Sequence, residues 1–378
     1  MPAPGKPWIT ANQVTLARLI PMPILSWLIY EGGKQGSLRD NPYMWAALIA
    51  GTLVASTDWV DGMLARKYGP TVLGGLLDPI ADKVFIAFAY VPFADDAMGL
   101  GLIPWWAAAL MFTREFFITS LRSAYEQRNL TLKTSYLAKV KTWTQMQGIG
   151  VVLLFPLVSN RELLIWSLAI LTGIPLVVMA GFWIIKKKFW KGALVMSGSV
   201  APILAVYAYD ETLAVRWIIL AVVGITWISG IDYIVIGWKQ LRGRGDFAKA
   251  DAVRLIGGLA MPGLLFAVLV KTPAPAWPIF AILALELAVG GLDNLLSHHK
   301  RATKALAWGS RVLGVCALVL CALLVPEHSD LFLYAATAVS LVGVSLEFWH
   351  GRDYFLDKRI RDRALREAAV HQPESQLT

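Results

Sequence analysis

The chain is short of charged residues and of cysteine, and each shortage excludes a class of protein. Only 16% of its 378 residues are Asp, Glu, Lys or Arg, whereas a soluble domain carries roughly 25%. Its two cysteines, Cys316 and Cys321, lie in one apolar run without nearby His or Cys partners. We therefore expect packing residues there, not a disulfide scaffold or a cysteine metal site. The run after Gln13 lacks a small-residue cleavage site, so we expect no cleavable signal peptide.

Long apolar runs are what the chain has instead, and hydrophobic residues make up 57% of it. Each run approaches the ~20 residues that a bilayer requires, which predicts an all-α, polytopic helical membrane protein with about 12 transmembrane helices. The runs cover residues 14–30, 43–64, 79–95, 99–121, 138–159, 162–185, 191–209, 212–238, 253–270, 276–296, 305–325 and 331–349.

The net charge of +9 raises the question of a nucleic-acid partner, and the distribution of charge answers it. With both termini in the cytoplasm, most of the 35 Lys and Arg fall in cytoplasmic loops, as the positive-inside rule requires. We interpret the basic charge as orientation and attraction to anionic lipids, with no nucleic acid bound. The prediction is a multi-pass protein of the cell (inner) membrane.

The predicted domain organisation follows from the same apolar runs. Residues 1–188 are predicted to form a six-helix catalytic membrane domain, because every motif with assignable chemistry lies there. Residues 189–350 are a six-helix C-terminal extension, and residues 351–378 a basic cytoplasmic tail. The Lys186–Lys188 run is the predicted boundary.

Four aspartates frame the stretch that organises the chain. Asp58 and Asp61 are three residues apart and Asp78 and Asp82 four apart, so each pair projects from one face of a helix. One pair alone would be a solvated loop edge. Two pairs at the ends of apolar runs indicate a functional site, because carboxylates near a bilayer are unfavourable without a task. Hard oxygen ligands suit Mg²⁺ or Mn²⁺.

Residues 58–82 read Asp-x2-Asp-Gly-x2-Ala-Arg, seven residues, Gly, three residues, Asp, three residues, Asp. This spacing resembles the signature of the CDP-alcohol phosphotransferase family at every fixed position. The resemblance implies two divalent metal ions, Mg²⁺ or Mn²⁺, bound by Asp58, Asp61, Asp78 and Asp82, with Asp82 also the general base. It implies a CDP-activated diacylglycerol as donor and an alcohol that attacks its β-phosphorus, releasing CMP.

The resemblance also implies a nucleotide-binding side. The first span opens with Asn-x2-Thr-x2-Arg, which resembles the family's entry motif. Small residues at the end of the second span would let the nucleotide approach the backbone. The implied nucleotide-binding residues are Asn12, Thr15, Gly62, Ala65, Arg66 and Gly74. Taken without the resemblance, Arg18 is interpreted as an interface residue that snorkels toward the headgroups.

Two further strings indicate the acceptor. Arg-Glu-x4-Ser-x-Arg begins at residue 114 and Lys-x-Lys-Thr-x2-Gln at residue 139. Together they resemble the phosphatidylglycerophosphate synthase branch of the family, whose acceptor is sn-glycerol 3-phosphate. The predicted acceptor-binding cations are Arg114, Arg122, Lys139 and Lys141. The alternative is a structural Arg114–Glu115 pair beside three positive-inside charges.

Other functions stay open at this point. The same chemistry could use inositol phosphate or phosphatidylglycerol as acceptor, and a remote alternative is a twelve-span transporter. At offsets of 232 to 236, Asp61 falls on Asp293 and Arg18 on Arg254, so the extension could be a decayed repeat. The resemblance implies a homodimer through membrane helices, and a covalently fused half could replace that partner as an intramolecular pseudo-dimer.

Overall fold

The structure, a computed structural model, describes residues 10–68, 72–95, 101–128, 130, 136–187, 191–244, 249–298 and 305–356. Within these residues the secondary structure is helical and no strand occurs, which confirms the all-α prediction. Cys316 and Cys321 are both half-buried free thiols.

The helices follow one another with short connections. In the N-terminal half they are α1 (Ala11–Leu19), α2 (Pro21–Lys34), α3 (Pro42–Tyr68), α4 (Val72–Ala94), α5 (Trp105–Glu126), α6 (Tyr136–Leu157) and α7 (Arg161–Lys186). In the C-terminal half they are α8 (Lys191–Tyr209), α9 (Glu211–Arg244), α10 (Lys249–Lys271), α11 (Trp277–His298), α12 (Ala305–Leu324) and α13 (Ser329–Leu356). A 3₁₀ turn, Pro326–His328, precedes α13.

Each apolar run of the sequence overlaps a helix, and the first overlaps α1 and α2 together. In the described part of the chain, six helices are long and apolar enough to cross a membrane, and three shorter apolar helices accompany them. The surface of α7 is apolar: Val177 is 72% exposed and Ile185 79%. Such a surface suits lipid contact and a multi-pass membrane protein. The total of twelve crossings stays a prediction.

Local sequence explains how the first helices begin. Thr10 caps α1 through a capping box with Gln13, in which each side chain bonds the other residue's backbone N–H. Pro21 starts α2, because a proline is tolerated in the first turn but cannot continue α1. Asn41 precedes α3, accepts from the backbone N–H of Tyr43 and Met44, and donates to the carbonyl of Gly32. The Asn41 side chain thereby joins the last turns of α2 to the start of α3.

The C-terminal helices pack directly on the N-terminal ones. α10 lies along α5, α11 contacts α4 and α5, and α9 contacts α5 and α6. Phe88 of α4 stacks on Phe280 of α11 with ring centroids 5.1 Å apart, and Phe112 of α5 meets Phe266 of α10 at 5.8 Å. α7 packs on α8 across the proposed boundary. The division into a catalytic domain and an extension stays a prediction drawn from the sequence.

One feature of the predicted repeat has a counterpart in space. Arg254 Nη1 lies 3.4 Å from Asp293 Oδ2, both fully buried, and the corresponding Arg18 Nη2 lies 3.7 Å from Asp61 Oδ2. The surroundings differ, because α11 packs against α13, whereas α3 packs against α6. The repeat therefore stays a prediction, supported by this pair of ion pairs.

The contact between α6 and α9 gives a testable prediction about how the two halves hold together. A Cβ on Gly148 would lie 2.6 Å from Val222 Cγ2, and a valine cannot rotate away easily. We expect Gly148→Ala to lower the melting temperature in detergent, because overpacking costs about 1–3 kcal/mol. Gly150→Ala on the same helix is the control, since its Cβ would only reach Leu48 at 3.9 Å. Equal melting temperatures for the two variants would contradict this packing.

Candidate functional site

The site begins on the buried face of α1. Thr15 and Arg18 are three residues apart and therefore lie on one face, with Thr15 fully buried and Arg18 only 3% exposed. That face packs against α3 and α4, the helices that carry the four aspartates. The interpretation of Arg18 as a snorkelling interface residue is wrong, because its guanidinium points inward, to carboxylates.

Arg18 contacts aspartates from both helices. Its Nη1 lies 3.1 Å from Asp58 Oδ1 and 3.3 Å from Asp82 Oδ1, and its Nη2 lies 3.7 Å from Asp61 Oδ2. The side chain of Asp61 is 3% exposed, while those of Asp58 and Asp82 are 45% and 23% exposed. One guanidinium therefore joins α1, α3 and α4, and the carboxylates of Asp58 and Asp82 remain accessible from outside.

Thr15 brings in the fourth aspartate. Its hydroxyl oxygen lies 2.9 Å from Asp78 Oδ1, 3.1 Å from Asp61 Oδ2 and 3.1 Å from the carbonyl oxygen of Ala11. A hydroxyl has one proton to donate, so it can satisfy only one of these three acceptors at a time. Oxygens that face each other without a proton between them favour a cation nearby.

The charge balance of this carboxylate cluster (Asp58, Asp61, Asp78 and Asp82) also favours a bound cation. Four carboxylates meet one guanidinium, so negative charge is in excess in a partly buried place. The oxygen donor set fits Mg²⁺ or Mn²⁺ by its chemistry. In the described part of the chain, however, no three acidic, His or Cys side chains already form a metal cage, and Arg18 lies among the carboxylates. The metal ligands stay a prediction.

A pocket of about 560 Å³ includes Asp58 of the carboxylate cluster in its lining and runs along α3 between α2, α4 and α6. Its lining is apolar around Ala47 and Leu48 and polar around Asp58, Gly62 and Arg66. A Cβ on Gly62 would lie 3.4 Å from Arg66 Nη1, so the missing side chain leaves room beside the guanidinium.

Three other predicted nucleotide-binding residues lie on α1, α3 and α4, the helices that meet at the carboxylate cluster. Asn12 is half-buried on α1, Ala65 half-buried on α3, and Gly74 buried on α4. They are not among the described lining residues of the 560 Å³ pocket. Their role in nucleotide binding stays a prediction.

A second group of charges, the basic cluster, consists of Lys83, Arg114 and Lys141 around Glu115. Lys141 Nζ donates to Glu115 Oε1 at 2.6 Å, and Arg114 Nη1 approaches the same oxygen at 3.3 Å. Lys83 Nζ donates at 2.9 Å to the hydroxyl of Thr119, which donates to the backbone carbonyl of Glu115. Arg114, Glu115 and Lys141 are each less than 10% exposed. Lys141 is therefore an internal cation and not a loop charge.

Of the four predicted acceptor cations, three have described side chains, and these three do not all lie together. Arg114 and Lys141 meet at Glu115, which fits the alternative of a structural Arg114–Glu115 pair as well, so their role in acceptor binding stays a prediction. Arg122 lies about two turns further along α5, where its Nη2 donates to the Tyr233 hydroxyl at 3.3 Å. The side chain of Lys139 lies outside the described residues.

Sequence reasoning missed Lys83. Its position directly after Asp82, inside an apolar run, is the signal that could have identified it, because a lysine buried in a membrane helix needs a partner. It also missed Ser229 and Tyr233 of α9, which contact Arg114 and Arg122. Hydroxyl residues in an apolar run carry no distinctive spacing.

Comparison with known proteins finds a matching family and several relatives. The family model described as CDP-alcohol phosphatidyltransferase matches residues 8–179, which contain the carboxylate cluster and the basic cluster. A probable phosphatidylglycerophosphate synthase of Mycobacterium tuberculosis (strain CDC 1551 / Oshkosh) is 38% identical over 146 residues. That alignment takes in 38% of this chain and spans only 65% of the relative's length.

Two further relatives are matched over more of their length. The CDP-diacylglycerol–glycerol-3-phosphate 3-phosphatidyltransferase of Bacillus subtilis (strain 168) is 31% identical over 192 residues, which are 48% of this chain and 94% of that protein. The protein of the same name from Yersinia pestis (strain Pestoides F) is 34% identical over 178 residues, 44% of this chain and 86% of its own.

No solved structure matches the chain. Three findings indicate the same family. They are the spacing of the aspartates, the contacts of all four aspartates with Thr15 or Arg18, and a relative that is matched over 94% of its length. The chain belongs to the CDP-alcohol phosphatidyltransferases, a family of membrane transferases.

Proposed function

We propose that this protein transfers the phosphatidyl group of CDP-diacylglycerol to sn-glycerol 3-phosphate, giving phosphatidylglycerophosphate and CMP. The observation that carries the proposal is the adjacency of the two clusters through consecutive residues of α4. Asp82 lies 3.3 Å from Arg18 in the carboxylate cluster, and Lys83 donates to Thr119 beside the basic cluster. The proposed site for a pyrophosphate and the proposed site for a small anion are thus connected by two neighbouring residues of α4.

The 560 Å³ pocket suits the donor. A nucleotide-activated lipid has a charged head and two apolar chains, and the pocket has a polar part at Asp58 and Arg66 and an apolar part at Ala47 and Leu48. The planar fork of Arg66 matches phosphate oxygens, and Gly62 leaves space next to it. We place this site on the cytoplasmic side, where Arg66 and Lys67 end α3.

The chemistry needs charge neutralisation and a base. Two divalent ions held by Asp58, Asp61, Asp78 and Asp82 would supply neutralisation of the pyrophosphate and its transition state. Asp82 takes the proton from the acceptor hydroxyl, whose oxygen then bonds the β-phosphorus while the bond to the CMP oxygen breaks. Arg18 holds Asp82 in place, since its Nη1 contacts both Asp58 and Asp82.

The basic cluster suits a small dianion. Arg114 and Lys141 contact the carboxylate of Glu115, and Lys83 lies beside them on the Thr119 hydroxyl, so these three cations outnumber the one carboxylate that they surround. An unpaired excess of buried charge is unfavourable, and a phosphate monoester would relieve it with charge-assisted hydrogen bonds. This excess favours an acceptor that carries a phosphate group.

The role of Asp82 gives the first prediction for the reaction. Asp82→Asn keeps the size of the side chain but removes the base, so we expect the turnover rate to fall by about 10²–10⁴-fold. CDP-diacylglycerol binding should be largely retained. The measurement is formation of labelled lipid from labelled glycerol 3-phosphate by purified protein, with Asp330→Asn, an exposed aspartate of α13, as control. Wild-type turnover in Asp82→Asn would remove Asp82 as the base.

The role of Lys141 gives the second. Lys141→Gln retains a hydrogen-bond donor toward Glu115 but removes the charge. We expect the KM for glycerol 3-phosphate to rise about 10-fold or more, since a hydrogen bond between charged groups contributes about 1.5–3 kcal/mol. The KM for CDP-diacylglycerol should change less than about twofold. Lys271→Gln, which alters an exposed lysine, is the control, and equal changes in both KM values would argue against an acceptor contact.

A further inference from the structure

α9 lies in the part of the chain beyond the residues that the family model matches, yet it packs against both helices that carry the acceptor cations. Thr226, Ser229, Gly230 and Tyr233 fall at positions i, i+3, i+4 and i+7, so they share one face of this helix. That face is turned inward: Thr226 is fully buried, Ser229 is 1% exposed and Tyr233 is 3% exposed. Buried hydroxyls in a membrane helix need partners.

The Ser229 hydroxyl is oriented as an acceptor for Arg114. It donates its own proton to the backbone carbonyl of Thr226 at 2.7 Å, which leaves its lone pairs free. Arg114 Nη2 donates to it at 3.1 Å, while Nη1 of the same guanidinium lies 3.3 Å from Glu115. Two partners from two helices thus fix the plane of the guanidinium.

Thr226 acts in the same way on α6. Its hydroxyl oxygen lies 3.1 Å from Nε2 of Gln145, which is four residues after Lys141 and therefore on the same face of α6. The backbone carbonyl of Gln145 accepts from the Tyr90 hydroxyl of α4 at 2.7 Å. The rotation of α6, and with it the direction of Lys141, is therefore set from both α4 and α9.

Gly230 and Tyr233 complete the face. A Cβ on Gly230 would lie 3.2 Å from Arg114 Nε, so a side chain there would press on the guanidinium. Tyr233 accepts from Arg122 through its hydroxyl, and the Arg122 guanidinium lies 5.3 Å from the centre of its ring. The described contacts from Thr226, Ser229 and Tyr233 come from neutral groups, which position the cations without cancelling their charge.

We propose that α9 positions the cations of the acceptor site. Ser229 holds Arg114, and Thr226 holds Lys141 through Gln145, in the orientation that binds the acceptor's phosphate group. This inference rests on the proposed function and deepens it, because it assigns a C-terminal helix to acceptor affinity. A neutral hydroxyl at Arg114 leaves the excess positive charge of the basic cluster available to an anionic ligand.

The test compares variants of the full-length protein that remove one hydroxyl each. For Ser229→Ala and Thr226→Val we expect the KM for glycerol 3-phosphate to rise about 5- to 20-fold, the loss typical of one hydrogen bond to a charged or orienting group. The KM for CDP-diacylglycerol should change less than about twofold. Thr226→Ser retains the hydroxyl and should restore the wild-type KM, which a purely structural role of the threonine methyl would not do.

Glycine variants on the same helix supply a steric version of the test. Gly230→Ala should raise the KM for glycerol 3-phosphate, because its Cβ presses on Arg114. Gly224→Ala, six residues earlier on α9, has nothing within 4 Å of its Cβ and should behave as wild type. Ser199→Ala, at an exposed serine of α8, is the matched control for hydroxyl removal.

The outcomes separate this inference from the proposed function. CMP release by the wild-type protein that depends on glycerol 3-phosphate tests the proposed function alone. If a different alcohol supports release, the KM for that alcohol is measured in the same variants, and the same split supports the α9 assignment. Equal changes in both KM values, unchanged KM values, or a loss confined to melting temperature in Ser229→Ala, Thr226→Val and Gly230→Ala would overturn it.

Discussion

A guanidinium held among carboxylates is the contact on which the rest of the site depends. Arg18 of α1 contacts Asp58 and Asp61 of α3 and Asp82 of α4, so three helices meet at one side chain. Its side chain is 1% exposed, and a charge so buried is tolerated only with close partners. The cap at Thr10 and the break at Pro21 let α1 lie against α3 and α4 as a separate short helix. The carboxylates thereby converge, and two of them keep an exposed side.

The two clusters are connected by the geometry of α4. Consecutive residues of a helix project about 100° apart, so Asp82 and Lys83 face different neighbours although they are adjacent in the chain. Asp82 turns to α1 and Lys83 to α5, where Glu115 gathers Arg114 and Lys141. α5 is in turn enclosed by α9, α10 and α11. The proposed transfer needs a negative cluster that would bind a metal-bound pyrophosphate and, beside it, a positive cluster that would bind a phosphate monoester.

Sequence spacing predicted the parts of this arrangement that lie along one helix, and it failed for the parts that depend on packing between helices. The aspartate pairs were predictable because each pair repeats at helical spacing, and the helices because apolar runs of bilayer length have few alternatives. Without the family resemblance Arg18 was misplaced, because an arginine at the start of a span snorkels or turns inward according to its neighbours. Ser229 and Thr226 were missed because a hydroxyl in an apolar helix usually bonds its own backbone. The alignment of the two sequence halves matched Arg254 with Arg18 and Asp293 with Asp61, but only the structure shows that Arg254 and Asp293 form an ion pair.

The most direct test of the account is to measure CMP release by the purified protein from CDP-diacylglycerol with Mg²⁺ or Mn²⁺ and a panel of alcohols. The panel is glycerol 3-phosphate, inositol phosphate and phosphatidylglycerol, with Asp78→Ala as the inactive control. The account predicts metal-dependent release of CMP with glycerol 3-phosphate, formation of phosphatidylglycerophosphate, and loss of both in Asp78→Ala. Release only with phosphatidylglycerol would contradict the acceptor assignment, and no release with any alcohol would contradict the proposed transfer itself.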